Sequence, residues 1–422
     1  MKEDFLHHIW LNKRFDFSNL KTSDNQILQI VDFGRYLQMA GPDIFNAQLI
    51  IDNQKWAGNV EIHVKSSDWY LHNHENDTNY DNVILHVVWE HDAEVYRKDN
   101  SEIPVLELKN YVAKSELDKY NALTTSKSWI FCENDIATID DLTFINWKER
   151  LFFERLERKA IPIQELLKET SNDWEFVLFV MLAKNFGLNV NGISFFEMAK
   201  SIPSNVLKKE VFDVENLEAL FFGRANLLEE EKQDNYYKNL QIRWSFLKQK
   251  YELKNHYITP IQFFKLRPDN FPTIRLAQLA QLYHLNHSLF SKIVNAKSLI
   301  ELYDIFKNAT SIYWKTHYNF DKQSSSKPKN LSSAFIDLLI INTIIPIKFL
   351  YANENGKDST EELLELISQI KPERNTIIDK FEVFKIKSKS AFDSQALLQL
   401  KNEYCNHKKC LHCNIGLALL KN

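Results

Sequence analysis

Between Gly41 and Asp92 the chain carries a dense run of ionisable side chains, GPDIFNAQLIIDNQKWAGNVEIHVKSSDWYLHNHENDTNYDNVILHVVWEHD. Asp43 follows a proline, and Glu61, His63 and Lys65 alternate along a strand-like run. Alternation puts those three on one face, with Val60, Ile62 and Val64 on the other. If Asp43 and Glu61 meet on adjacent strands, their carboxylates form an oxygen site for Mg²⁺ or Mn²⁺, with positions left for water and a phosphate oxygen. Such an ion polarises a phosphoryl group and lowers the pKa of an attacking water. His63 or Lys65 would then stabilise developing charge or orient that water. Taken singly, the same residues fit a Pro-Asp turn and a solvated strand face with a cross-strand ion pair. The surrounding density of His and Asp raises the metal site to equal standing.

His72 and His74 have the spacing of two ligands on an extended segment, with Asp77 and Tyr80 before His86 in the next strand. Imidazole suits zinc and iron. The expected role of His72, His74, Asp77 and His86 is to support the carboxylate site from behind by hydrogen bonding. His86 faces away from Val83, Leu85 and Val87, toward the side of Glu61.

A second constellation closes the chain. Cys405, Cys410 and Cys413 sit in CNHKKCLHC. Two thiolates at C-x2-C spacing can grip one tetrahedral Zn²⁺, and the fourth ligand would be His407, His412 or the distant Cys132. With Cys132 included, an iron–sulfur cluster is the alternative. The expected role is structural, pinning the C-terminus.

The elements that must position these residues follow from periodicity. Residues 47–52, 58–65, 83–89 and 103–109 alternate like strands, with a turn at Asn53-Gln54 and a short helix through Trp69-Tyr70-Leu71. Ile27 to Met39 has helical spacing at Ile27, Ile30, Val31 and Leu37. Beyond about Asp141 the period becomes helical, with helices expected over 147–160, 174–186, 193–201, 216–228, 230–253 and 273–285. The expected fold is α+β: an α/β domain over 1–140, a helical domain over 141–330, and a helical C-terminal segment over 331–422 ending in the cysteines.

Composition narrows the function class. Glycine is scarce, at 8 residues, and no dinucleotide or P-loop glycine motif occurs. The net charge of −4 gives no global field for nucleic acid, so any such surface is local. The apolar stretch from Leu331 to Tyr351 contains Asp337, Asn342, Pro346 and Lys348, which predicts a buried helix and no membrane association. Few cysteines and an acidic start predict a cytoplasmic protein. Arg267 and Arg275 flank a turn and are expected to satisfy neighbouring helices. Tyr313, Trp314, Tyr318 and the following lysines offer either a single-strand stacking surface or a core edge.

Pro42-Asp43 and Glu61-Ile62-His63, in a helix–strand–strand–strand–helix–strand order over roughly residues 26–110, resemble the PD-(D/E)xK nuclease superfamily. Its fold begins with a helix, then a hairpin carrying PD, a strand carrying E-x-K, a helix and a further strand. The lysine position is His63 here, and Lys65 lies two residues further on. The resemblance implies a metal-dependent nuclease-like phosphodiesterase acting on nucleic acid. The alternatives are a non-catalytic nucleic-acid or protein-binding module with a decayed nuclease fold, and a histidine-centred metalloenzyme. Across its length the chain is also similar to an uncharacterised bacterial family known by a domain-of-unknown-function label. GPDIFNA (41–47), GNVEIH (58–63), SSDW (66–69), HNH (72–74), NVILHVVWEHD (82–92), RPDNFPTIRLAQLA (267–280) and the terminal cysteines carry that likeness.

Overall fold

The computed structural model describes residues 2–36, 41–125, 128–307 and 310–421. It is mixed α+β and divides into two compact units, Met1–Trp147 with Leu400–Asn422, and Lys148–Gln399. The expected third segment, 331–422, is therefore split. Its last stretch belongs to the first unit.

The first unit opens with helix α1 (Glu3–Leu11), followed by strands β1 (Leu20–Lys21), β2 (Ile27–Asp32), β3 (Arg35–Tyr36), β4 (Ile44–Ile51) and β5 (Gln54–Lys65). Helix α2 (Asp68–Leu71) leads to β6 (Val83–Glu90) and β7 (Val105–Glu107), and α3 spans Lys114–Thr125. The helix expected from Ile27 is instead strand β2, where Leu28 is buried while Ile27 and Val31 are exposed. Pairing with β4 decides this, because β-branched residues suit a pleated edge better than a helix. Leu37 and Met39 lie outside the described residues.

The sheet order is β1-β2-β4-β5-β6-β7, with β3 also on β4. β2, β4 and β5 are antiparallel, and β5, β6 and β7 are parallel. The β4–β5 turn falls at Asp52 and Asn53, both left-handed, and these residue types tolerate the turn that matches strand twist. Gly58 lets the start of β6 approach, since a Cβ there would meet the Ile84 side chain and the Asn82 carbonyl. Val60, Ile62, Leu85 and Val87 pack with Phe5, Leu6, Ile9 and Trp10 of α1. A second cluster on the other sheet face holds Trp69, Tyr80, Val83 and Val88.

The second unit is helical. Its helices include α4 (Asp141–Glu169, entered from the first unit), α5 (Trp174–Phe186), α6 (Leu188–Lys200), α7 (Ser204–Glu210), α8 (Val214–Arg224), α9 (Asn235–Lys250) and α10 (Pro272–Leu285). Asp173, Asp213 and Asp234 accept backbone N–H bonds at the starts of α5, α8 and α9, satisfying donors that a helix leaves open. α5 is buried almost all round, as its apolar run requires. Ser333–Glu354 is long and apolar enough to cross a membrane, and 67% of its most apolar window is buried within the protein. Arg275 stacks on Phe335 and donates to Gln278 and Asn270, while Arg267 is exposed. Trp314 is fully buried and Phe320 nearly so, which makes that aromatic stretch a core edge.

Candidate metal centre

Strand pairing builds the centre. Ile44 pairs with Val60, which brings Asp43 beside Glu61. The Asp43 N–H donates to Glu61 Oε2 at 3.1 Å, and the Ile62 N–H donates to Asp43 Oδ2 at 3.1 Å. Register then sets Glu61 opposite His86 and His63 opposite Val88 across the parallel β5–β6 pair. Neither Glu61 nor His63 is on a solvated face; they are 5% and 2% exposed.

The histidines converge on Glu61. His63 Nε2 and His74 Nε2 each lie 3.4 Å from Glu61 Oε1. His72 Nδ1 is 3.1 Å from His63 Nε2, and His63 Nδ1 is 2.9 Å from His86 Nε2. Among the described residues, His63, His72 and His74 form a group whose ligand atoms all lie within 4.8 Å of one another. A second such group, Asp24, Glu94 and Glu102, is wholly exposed. Spacing of that order lets one cation gather several ligands at ~2.0–2.2 Å after small side-chain movements. His72 and His74, expected to support the site from behind, have ligand atoms grouped with those of His63. His86 stands behind it, fully buried, with Nδ1 lacking a hydrogen-bond partner.

Aromatic walls close the centre. Tyr80 stacks on His74 at 3.8 Å, and Trp69, fully buried, packs edge-on against His74 and Tyr80. Asp77 is exposed and caps the short turn Thr78–Tyr80 by accepting the Asn79 N–H, so it seats Tyr80 and has no place among the ligands. The loop is held at its base by Asp92. Its carboxylate accepts from Ser66, from the Ser67 N–H and from the Ser67 hydroxyl, while Ser66 Oγ accepts the Asp92 and Ala93 N–H groups. The SSDW and EHD motifs are thus a structural clasp between the ends of β5 and β6.

Burial sets the electrostatics. It raises Glu61 above the usual carboxylate range, with His74 opposing and Asp43 adding to the rise. It lowers His63 to about 3, with His74 and His72 adding to the fall, so His63 is neutral and has a lone pair to offer a metal. Tyr80 is pushed up to about 12 by burial and by Glu61 and Asp43.

Sequence reasoning missed helix α1. His7 Nε2 lies 3.1 Å from Asp43 Oδ2, without the alignment of a full hydrogen bond. Burial opposes its protonation, but Asp43, Glu3 and Asp4 together outweigh burial and raise the imidazole above its ordinary range. Glu3, one helical turn earlier, is raised by burial and senses His72, Asp43 and His7. The available signal was the i, i+4 pairing of Glu3 with His7 on one helix face. Lys65 departs from expectation in the other direction. Its side chain is 50% exposed and pairs with Asp92 at 3.7 Å, because it stands at the end of β5 beyond the buried residues.

The cysteines gather in the same unit. Cys132, Cys405, Cys410 and Cys413 all line one cavity of about 20 Å³, and none is in a disulfide. His407 and His412 are exposed and do not line it. Among the described residues, no three of the four sulfurs form a group within 4.8 Å of one another. Burial and neighbouring thiols push Cys132 up to about 12, and the same two causes push Cys410 up to about 11.

No curated protein and no solved structure matches the chain. A family model described as protein of unknown function (DUF2851) matches residues 3–376, so it spans the histidine cluster around Glu61, α1 and most of the helical unit. The chain belongs to the DUF2851 family.

Proposed function

We propose that this protein is a metal-dependent phosphodiesterase of the nuclease type, acting on nucleic acid from a cytoplasmic location. The observation that carries the reading is Glu61 Oε1 at 3.4 Å from the imidazole nitrogens of both His63 and His74, with Asp43 bonded alongside. Glu61, His63, His72 and His74 would hold the ion, and Asp43 would take a metal-bound water or a further coordination position. Three imidazoles favour Mn²⁺ or Zn²⁺ over Mg²⁺, which prefers all-oxygen sites. The bound ion would supply a polarised phosphoryl oxygen and an acidified water. His7, 3.1 Å from Asp43 and raised above its ordinary range, would meet a phosphate oxygen there when protonated. The order α1, antiparallel β2–β4–β5, α2 and parallel β6 supports the PD-(D/E)xK comparison. The test is cleavage of single- and double-stranded DNA and RNA by purified protein with Mn²⁺, Zn²⁺ or Mg²⁺ added singly. Metal-dependent cleavage lost in Glu61→Gln and His74→Ala supports the reading.

One observation favours a second reading. Lys65, the lysine nearest the superfamily position, lies outside the centre on Asp92. Tight binding of single strands with no cleavage under any of these metals would make the protein a binding module with a decayed nuclease fold.

A further inference from the structure

Separate from the histidine centre, we infer that Cys132, Cys405, Cys410 and Cys413 form a structural zinc site joining two distant stretches of chain. Cys132 comes from a turn in which its carbonyl accepts the Asp135 and Ile136 N–H groups. Cys410 and Cys413 flank the short turn Cys410–His412, with the Cys413 N–H donating to the Cys410 carbonyl at 3.2 Å. Cys405 ends the turn that precedes it, Leu400–Cys405. The four residues arrive from three separate backbone turns and share one cavity. Disposition of that kind suits tetrahedral tetrathiolate ligation.

Three further observations support this. Lys401 Nζ donates to the Trp129 carbonyl at 2.8 Å and lies over the Trp129 ring, so the Cys132 segment is already tied to the C-terminal one. Gly416 is buried against the cysteine turn, where a Cβ would collide with the Cys410 carbonyl oxygen, so the turn and the final helix close tightly. The cavity, at about 20 Å³, has room for one small occupant such as a single ion or water, and too little for a cluster of irons and sulfides. Binding requires the sulfurs to draw in to ~3.8 Å spacing, which follows from ~2.3 Å Zn–S bonds in a tetrahedron. Side-chain rotation into a cavity they already line can supply that movement.

The experiment uses the full chain carrying His72→Ala and His74→Ala, so that zinc at the histidine centre is not counted. One zinc per chain is expected by elemental analysis, falling to below half in the additional Cys132→Ser variant. Replacement of zinc by Co²⁺ should give the intense near-ultraviolet thiolate-to-cobalt absorption and the visible bands of tetrahedral sulfur ligation. If Cys132→Ser fails to fold by circular dichroism, an organomercurial titration of the unsubstituted thiols replaces it, with zinc release expected to track the four sulfurs modified. Visible iron–sulfur absorption in the isolated protein, cobalt bound without a thiolate signature, or thiols that react with no metal released would each overturn the assignment. Absence of zinc from the chain carrying His72→Ala and His74→Ala would overturn this site alone, because the proposed function is judged by cleavage in the chain that keeps both histidines.

Discussion

His63 and His86 meet ring nitrogen to ring nitrogen at 2.9 Å, across the parallel strands β5 and β6. A bond between two imidazoles needs one nitrogen with a proton and one with a lone pair. Were His63 to give its Nε2 lone pair to a cation, Nδ1 would keep the proton and donate it to His86 Nε2. His86 would then orient His63 and fix its tautomer, the office a carboxylate or carbonyl performs behind many metal-bound histidines. His86→Ala is expected to weaken metal binding about 10- to 100-fold without abolishing it. Calorimetric titration with Mn²⁺ checks this, and an affinity equal to that of the unaltered protein would remove His86 from the positioning role.

The expected roles of His72 and Lys65 differ. His72→Ala removes an imidazole 3.1 Å from His63, and metal affinity should fall at least about 10-fold. Lys65→Ala removes a half-exposed side chain that pairs with Asp92, and both metal affinity and cleavage should stay within about 3-fold, because exposed pairs contribute little. A Lys65 variant that binds metal normally yet cuts nothing would restore lysine to the mechanism.

Asp43→Ala and Glu61→Gln separate oxygen ligation from folding. Glu61 is buried and raised by burial, so the isosteric amide is the cleaner substitution. Cleavage should drop below detection in both variants, with thermal melting of Glu61→Gln unchanged or higher in the metal-free protein. Retained cleavage in Glu61→Gln would refute ligation through its carboxylate.

In the helical unit, Glu218 on α8 is fully buried and raised to about 7 by burial, against opposing hydrogen bonds from Trp314 Nε1 at 2.8 Å and Tyr236 OH at 2.7 Å. The folded state thus holds a proton that the unfolded state releases near pH 4.5. Its stabilising effect is complete below that pH and is lost as pH rises through about 7, a decline on the order of 3 kcal/mol. Denaturation midpoints at pH 5 and pH 8 should fall more steeply in the unaltered protein than in Glu218→Gln. Parallel slopes would mean that Glu218 ionises as freely in the folded chain as in the unfolded one.

Gly416→Ala should destabilise the first unit by about 2 kcal/mol or more, because the added methyl meets backbone and not a movable side chain. Gly356→Ala is the control. That position is open but left-handed at φ +64°, so its cost is backbone strain of about 1 kcal/mol. Equal melting temperatures for Gly416→Ala and the unaltered chain would show that the final helix does not close on the cysteine turn.

Short-range pattern alone determined much of this protein. Alternation in 58–65 and 83–89 placed β5 and β6, put His86 on the side of Glu61, and separated the strand-rich unit from the helical one. Apolar periodicity located α5 and α10, because that signal is local. Tertiary structure decided the rest. Ile27 to Asp32 became a strand because β4 offered it a partner, which no window of its own residues contains. The histidines of a loop reached Glu61 because parallel pairing of β5 with β6 folds the connection back over it, and His7 of α1 came within 3.1 Å of Asp43. Lys65 left it because the strand end lies beyond the buried cluster. Cys132 met three cysteines some 270 residues away because the C-terminal stretch returns to the first unit. Contacts between residues so far apart cost loop-closure entropy that only the assembled core offsets, so they leave no periodic trace in the sequence.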